Sequence, residues 1–134
     1  MNILFFLTPK SEVAYLYEDY TIRQALEKME YHRYSSIPII SKDGKYIGTI
    51  TEGDLLWTLK NDFSLDLKSI EGISINNISR RKDNKPVCIN ADIEDLISKS
   101  MNQNFVPVID DQEIFIGIIK RRDIIDYFYN KIKA

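Results

Sequence analysis

Apolar residues fall at Ile22, Ala25 and Leu26, and again at Ile93, Leu96 and Ile97, each set spaced i, i+3, i+4. That spacing marks one face of a helix. It predicts amphipathic helices from Ile22 to about Tyr31 and from Ile93 to about Met101, with Thr21 and Asp92 as N-caps. Short apolar runs predict strands at Tyr15–Tyr17 and Val87–Ile89 before these helices. Two more strands follow each helix, at Ile37–Ile40 and Tyr46–Ile50 in the first half and Val106–Ile109 and Phe115–Ile119 in the second. Pro38 and Pro107 are read near a strand start, where a missing N–H is tolerated. Asp43-Gly44 and Asp110-Asp111 supply the turns. A last helix in each half is expected to bury Leu55, Leu56 and Leu59, or Ile124, Ile125 and Phe128.

These elements come from a duplication. Ile37-Pro38-Ile39-Ile40 lies over Val106-Pro107-Val108-Ile109 at an offset of 69, which then carries Gly48 onto Gly117 and Asp54 onto Asp123. Upstream the offset is 71, aligning Ile22 with Ile93, Leu4 with Ile75 and Lys10 with Arg81. The fold class expected is α/β (α+β), two β-α-β-β-α repeats. They span residues 1–66 (core about 10–60) and 67–134 (core about 80–132). About sixty residues make a marginal core, so the halves are expected to pack on each other.

The bulk numbers narrow the class without naming a job. A chain of 134 residues with 44% apolar and 28% charged residues suits a packed soluble domain. Cys88 is the only cysteine, so no intrachain disulfide forms and a cytoplasmic setting is expected. The N-terminal apolar run Ile3–Leu7 is too short for a signal or a membrane span. A net charge of −2 argues against a nucleic-acid coat. Enzyme signals are poor: His32 is the single histidine, and no glycine-rich phosphate loop occurs. No metal site and no catalytic constellation is expected.

The strand-to-helix corners are more informative. The first reads Gly48-Thr49-Ile50-Thr51-Glu52-Gly53-Asp54. Thr51 and Asp54 fit a capping box. The same geometry offers free N–H groups to a phosphate and a carboxylate to sugar hydroxyls. The second corner, Gly117-Ile118-Ile119-Lys120-Arg121-Arg122-Asp123, puts three cations at a helix start, against its dipole. A visiting anion or an intramolecular carboxylate would account for them.

The Ser36-Ile37-Pro38-Ile39 and Phe105-Val106-Pro107-Val108 strands, with the two corners, resemble tandem CBS domains, the Bateman module. The resemblance covers almost the whole chain. It implies two repeats packed with pseudo-twofold symmetry, clefts between them that bind an adenine nucleotide, either of the AMP/ATP type or cyclic di-AMP, and a homodimer. Carried over residue by residue, Asp54 and Asp123 match the ribose-binding carboxylate and Thr51 the hydroxyl beside the phosphate. Ser36 and Ile37, with Phe105 and Val106 in the second repeat, match residues lining the base slot. Lys120 replaces the usual Ser or Thr, and Phe105 stands where a small residue is common. Lys120, Arg121 and Arg122 suit a more anionic ligand, helped by Arg80 and Arg81. The second corner also resembles small stand-alone CBS proteins of Gram-positive bacteria that bind cyclic di-AMP. The expectation is a non-catalytic sensor without a cofactor, and with no nucleic-acid or membrane partner. Because the repeats take up the chain, its output would pass through an effector protein or through dimer conformation. The alternative is a ligand-free dimer serving as a protein-interaction scaffold, with Trp57, Tyr127 and Tyr129 exposed near the last helices.

Overall fold

A computed structural model describes all residues, 1–134. Seven strands and four helices follow in the order β1 (Thr8–Pro9), β2 (Leu16–Tyr17), α1 (Ile22–His32), β3 (Ser36–Ile40), β4 (Tyr46–Thr51), α2 (Glu52–Asp62), β5 (Val87–Cys88), α3 (Ile93–Ser100), β6 (Phe105–Ile109), β7 (Phe115–Lys120) and α4 (Arg121–Lys133). The β-α-β-β-α order therefore occurs twice. Two compact units form: residues 14–83, and residues 1–13 together with 84–134. They are offset from the sequence repeats, because each segment that leads into a repeat folds with the other repeat's elements.

In the 14–83 unit, β3 lies between parallel β2 and antiparallel β4. The Thr21 hydroxyl accepts the Gln24 N–H at 3.1 Å, and the Gln24 side chain accepts the Thr21 N–H at 2.9 Å, so α1 begins in a capping box. Its apolar stripe, Ile22, Ala25 and Met29, buries against Leu16, Ile37, Ile39 and Ile50 of the sheet and Leu55 and Leu59 of α2. The later segment closes this core with Ile70, Ile75 and Ile78. It is tied to the start of α1 by Ile22 N–H to Ile73 O at 2.8 Å and Ile75 N–H to Tyr20 O at 2.9 Å.

The second unit has strand order β1-β7-β6-β5, with β1 antiparallel to β7. Ile3 and Phe6 join Val87, Leu96, Val106, Val108, Ile119 and Ile124 in its core. Asp92 caps α3 by accepting the Asp95 N–H at 2.8 Å. Asp110 serves the turn backbone, accepting the Gln112 and Ile114 N–H groups, both at 2.9 Å.

The registers repeat with the sequence. Ser36 pairs with Thr51 and Phe105 with Lys120, and each hairpin has an irregularity at the same place, Ile39/Ile40 and Val108/Ile109. Both prolines sit mid-strand rather than at a start. They are tolerated there because β2 and β5 pair only with the last two residues of β3 and β6, leaving one strand side unpaired beside Pro38 and Pro107. Leu56, Ile125 and Phe128 are not buried as expected: they are 49%, 60% and 37% exposed. Leu56 and Ile125 follow directly on Leu55 and Ile124, and one residue turns a helix by about 100°, carrying each away from the sheet.

Candidate functional site

The first corner is built within the 14–83 unit. Register places Ser36 beside Thr51 at the end of the β3–β4 hairpin, where the chain enters α2. The Thr51 hydroxyl accepts the Asp54 N–H and an Asp54 carboxylate oxygen accepts the Thr51 N–H, both at 3.0 Å. The other Asp54 oxygen accepts the Arg81 N–H at 3.1 Å. Asp54 is 6% exposed, and these hydrogen bonds satisfy its buried carboxylate oxygens. Ile37 is fully buried in the unit's core.

A second carboxylate occupies the same corner. Asp83 accepts the Thr49 N–H at 2.9 Å and takes both Arg80 Nε, at 2.8 Å, and Arg80 Nη2, at 3.3 Å. The pair rests on Gly48, where an added Cβ would lie 2.5 Å from Asp83 Oδ1 and 2.7 Å from Arg80 Nη2. Burial pushes the Asp83 carboxyl up, but the Arg80 guanidinium and the Thr49 N–H outweigh it and hold the group below its ordinary value. Beside them, burial pushes the Tyr46 phenol up, and its oxygen lies 2.6 Å from the Thr49 hydroxyl.

Arg80 and Arg81 thus meet Asp54 and Asp83, in the unit that holds the first corner. They belong to that unit because residues 67–83 fold with 14–66, where Ile70, Ile75 and Ile78 complete the core.

The second corner, in the unit of residues 1–13 and 84–134, is made differently. Lys120 is the N-cap residue of α4 and provides no side-chain cap. The Arg121 N–H donates to Asn104 O at 3.0 Å, and its guanidinium reaches Ser100 O at 3.4 Å. The side chains of Lys120, Arg122 and Asp123 are exposed and make no hydrogen bond or ion pair. No carboxylate lies within ion-pair distance of the three cations, which sets aside the intramolecular partner. Asp123 lines a groove of about 310 Å³ with Phe5, Leu7, Thr8 and Asn130. Val106 is buried in the core. Phe105 is 5% exposed, so its ring has no open face for stacking, and its carbonyl accepts from Asn84 at 3.1 Å and Gln103 at 3.3 Å.

Sequence reasoning missed Asp83 at the first corner and Leu7–Thr8 at the second. The offset of 71 aligns Thr8 to Lys10 with Ser79 to Arg81, marking both leading segments as equivalent. Which corner each segment joins is a long-range contact that spacing does not encode. No helix is long and apolar enough to cross a membrane.

Residues 6–61 and 77–130 each match the family described as CBS domain. The L-aspartate semialdehyde sulfurtransferase of Methanocaldococcus jannaschii is 28% identical over 111 residues, covering 83% of this chain. The chain spans only 20% of that protein's length. Among solved structures, a CBS domain protein of Streptococcus pneumoniae superposes with a TM-score of 0.87 at 23% identity, over 97% of this chain and 88% of the other. Listeria monocytogenes CbpB, solved with c-di-AMP, gives 0.82 at 19% identity, over 95% and 94%. These structural likenesses are likenesses of fold. With both of its halves matched by the same family, the chain belongs to the CBS domain family as a tandem pair.

Proposed function

We propose that this chain is a non-catalytic regulatory module that binds an adenine nucleotide at its strand-to-helix corners. The observation that carries the reading is the start of α4. Lys120, Arg121 and Arg122 gather where the helix dipole disfavours cations, and none of them is ion-paired with a carboxylate. A bound phosphate would offset that cost and accept from the free N–H groups of the first helical turn. The c-di-AMP held by the Listeria relative supports an adenine ligand of more than one negative charge. Asp123, exposed and unpaired beside the groove, is suited to accept from ribose hydroxyls.

A thermal-shift panel of AMP, ATP, S-adenosylmethionine and cyclic di-AMP tests this. Ligand at about a hundred times its dissociation constant adds about 2.7 kcal/mol, a rise on the order of 10 °C for a chain this size. A panel without any shift would leave the scaffold reading, which the buried Phe105 favours.

The reading includes a homodimer. Its support is the apolar groove of about 450 Å³ between α3 and α4, bordered by Ile125, Phe128 and Ile132, whose exposed surface a second copy would bury. Sedimentation should show twice the 15.7 kDa chain mass. A single 15.7 kDa species at micromolar concentration would remove the dimer from the proposal.

A further inference from the structure

The two corners carry the same ribose-type aspartate but opposite provision for an anion. At the second corner, the cations Lys120 and Arg122 are unpaired. At the first, Arg80 is already held by two nitrogens on Asp83, and Asp54 is close enough for its charge to favour the guanidinium further. Asp83 also occupies the N–H of Thr49, inside β4. Its side chain is 38% exposed and that of Arg80 20%, so the pair borders solvent and can be opened.

The matching place in the other unit shows what Asp83 replaces. There β1 pairs with β7, with Thr8 opposite Ile118 and Pro9 opposite Gly117. Thr49 and Gly48 are the equivalents of Ile118 and Gly117 at the offset of 69. One corner is therefore covered by a strand held through its backbone. The other is covered by a carboxylate and a guanidinium from residues 80–83.

We propose that Asp83 is a resident counter-anion and a specificity determinant of the first corner. It occupies Arg80 and the Thr49 N–H until a ligand's phosphate displaces it, so this corner disfavours highly charged nucleotides relative to an uncharged nucleoside. The inference rests on the nucleotide-binding reading and assigns the charge class that this corner accepts. An Asp carboxylate and a phosphate oxygen make the same charge-assisted bonds to a guanidinium fork, so they compete for it directly. Asp83→Asn keeps an oxygen to accept from Thr49 and removes the charge that competes.

The test is a titration of adenosine and of ATP into the full chain, followed at the backbone amide signals of Thr49, Thr51 and Arg81, which report this corner alone. Wild type, Asp83→Asn and the double variant Arg80→Gln/Asp83→Asn are compared, each first shown to melt cooperatively. In Asp83→Asn, ATP affinity should rise about tenfold while adenosine affinity stays within about twofold. The gain should vanish in the double variant, since Arg80 is the group released. An unchanged ratio of ATP to adenosine affinity, or weaker ATP binding in Asp83→Asn, would make Asp83 a strut that merely positions Arg80. Either result would overturn the proposal while leaving nucleotide binding intact. If neither compound moves these signals in any of the three proteins, the nucleotide reading of this corner fails and the inference falls with it.

Discussion

Gly117→Ala should cost about 4 kcal/mol and lower the melting temperature by on the order of 15 °C. Gly117 has φ +155°, a conformation an L side chain rarely adopts. An added Cβ would also overlap the carbonyl oxygen of Thr8, and it would come within 2.9 Å of Leu7 Cδ1 and 3.1 Å of Pro9 Cα. The obstructing atoms are mostly backbone of the strand that pairs with β7, so β1 must move as a whole or separate. Separation would loosen Ile3 and Phe6, which precede it in the same core. The equivalent Gly48→Ala should cost only about 1 kcal/mol, because its Cβ meets the ends of the Asp83 and Arg80 side chains, which can swing aside. Chemical denaturation of the two variants checks the contrast. Equal losses would mean that β1 is not the rigid neighbour its pairing implies.

That contrast also marks the limit of what the sequence made legible. The strands and helices were readable because their signals are local: a short apolar run for Ile37–Ile40, the i, i+3, i+4 stripe of Ile22, Ala25 and Leu26, and cap residues at Thr21 and Asp92. The duplication made them more secure, since an element read twice at one offset is unlikely to be coincidence. Burial on the last helices was less legible. In Leu55-Leu56 and Ile124-Ile125 the spacing alone could not say which neighbour faces the sheet.

The destinations of the leading segments were not legible at all. Thr8–Pro9 joins the unit of residues 84–134, and Arg80–Asp83 joins that of residues 14–66. Neither pairing leaves a periodic trace, because each depends on contacts between residues far apart in the chain. The corner aspartates lie between these cases. Their matching position was plain from the repeat, but their surroundings diverged: Asp54 is buried and fully bonded, Asp123 exposed and free.

This divergence separates capping from binding by mutation. Asp54→Ala should destabilise the chain by about 3 kcal/mol, combining a lost capping box with a stranded Arg81 N–H. Its carboxylate holds the first turn of α2 through Thr51 and the 80–83 segment through Arg81, so both loosen together. Asp123→Ala removes a carboxylate with no partner and should change stability by no more than about 0.5 kcal/mol. Under the proposed function, calorimetry at the second corner should nonetheless show weaker nucleotide binding for Asp123→Ala. Nothing in that variant's folding could explain such a loss, so it would assign the aspartate to the ligand. For Asp54→Ala, a drop in affinity alone decides nothing, because a loosened corner binds worse for structural reasons. Asp54→Asn makes the sharper comparison, since one amide oxygen can still serve Thr51 or Arg81 while the charge is gone. If Asp123→Ala binds every nucleotide of the panel as the wild type does, the free aspartate has no part in the site. The three cations beside it would then need another anion.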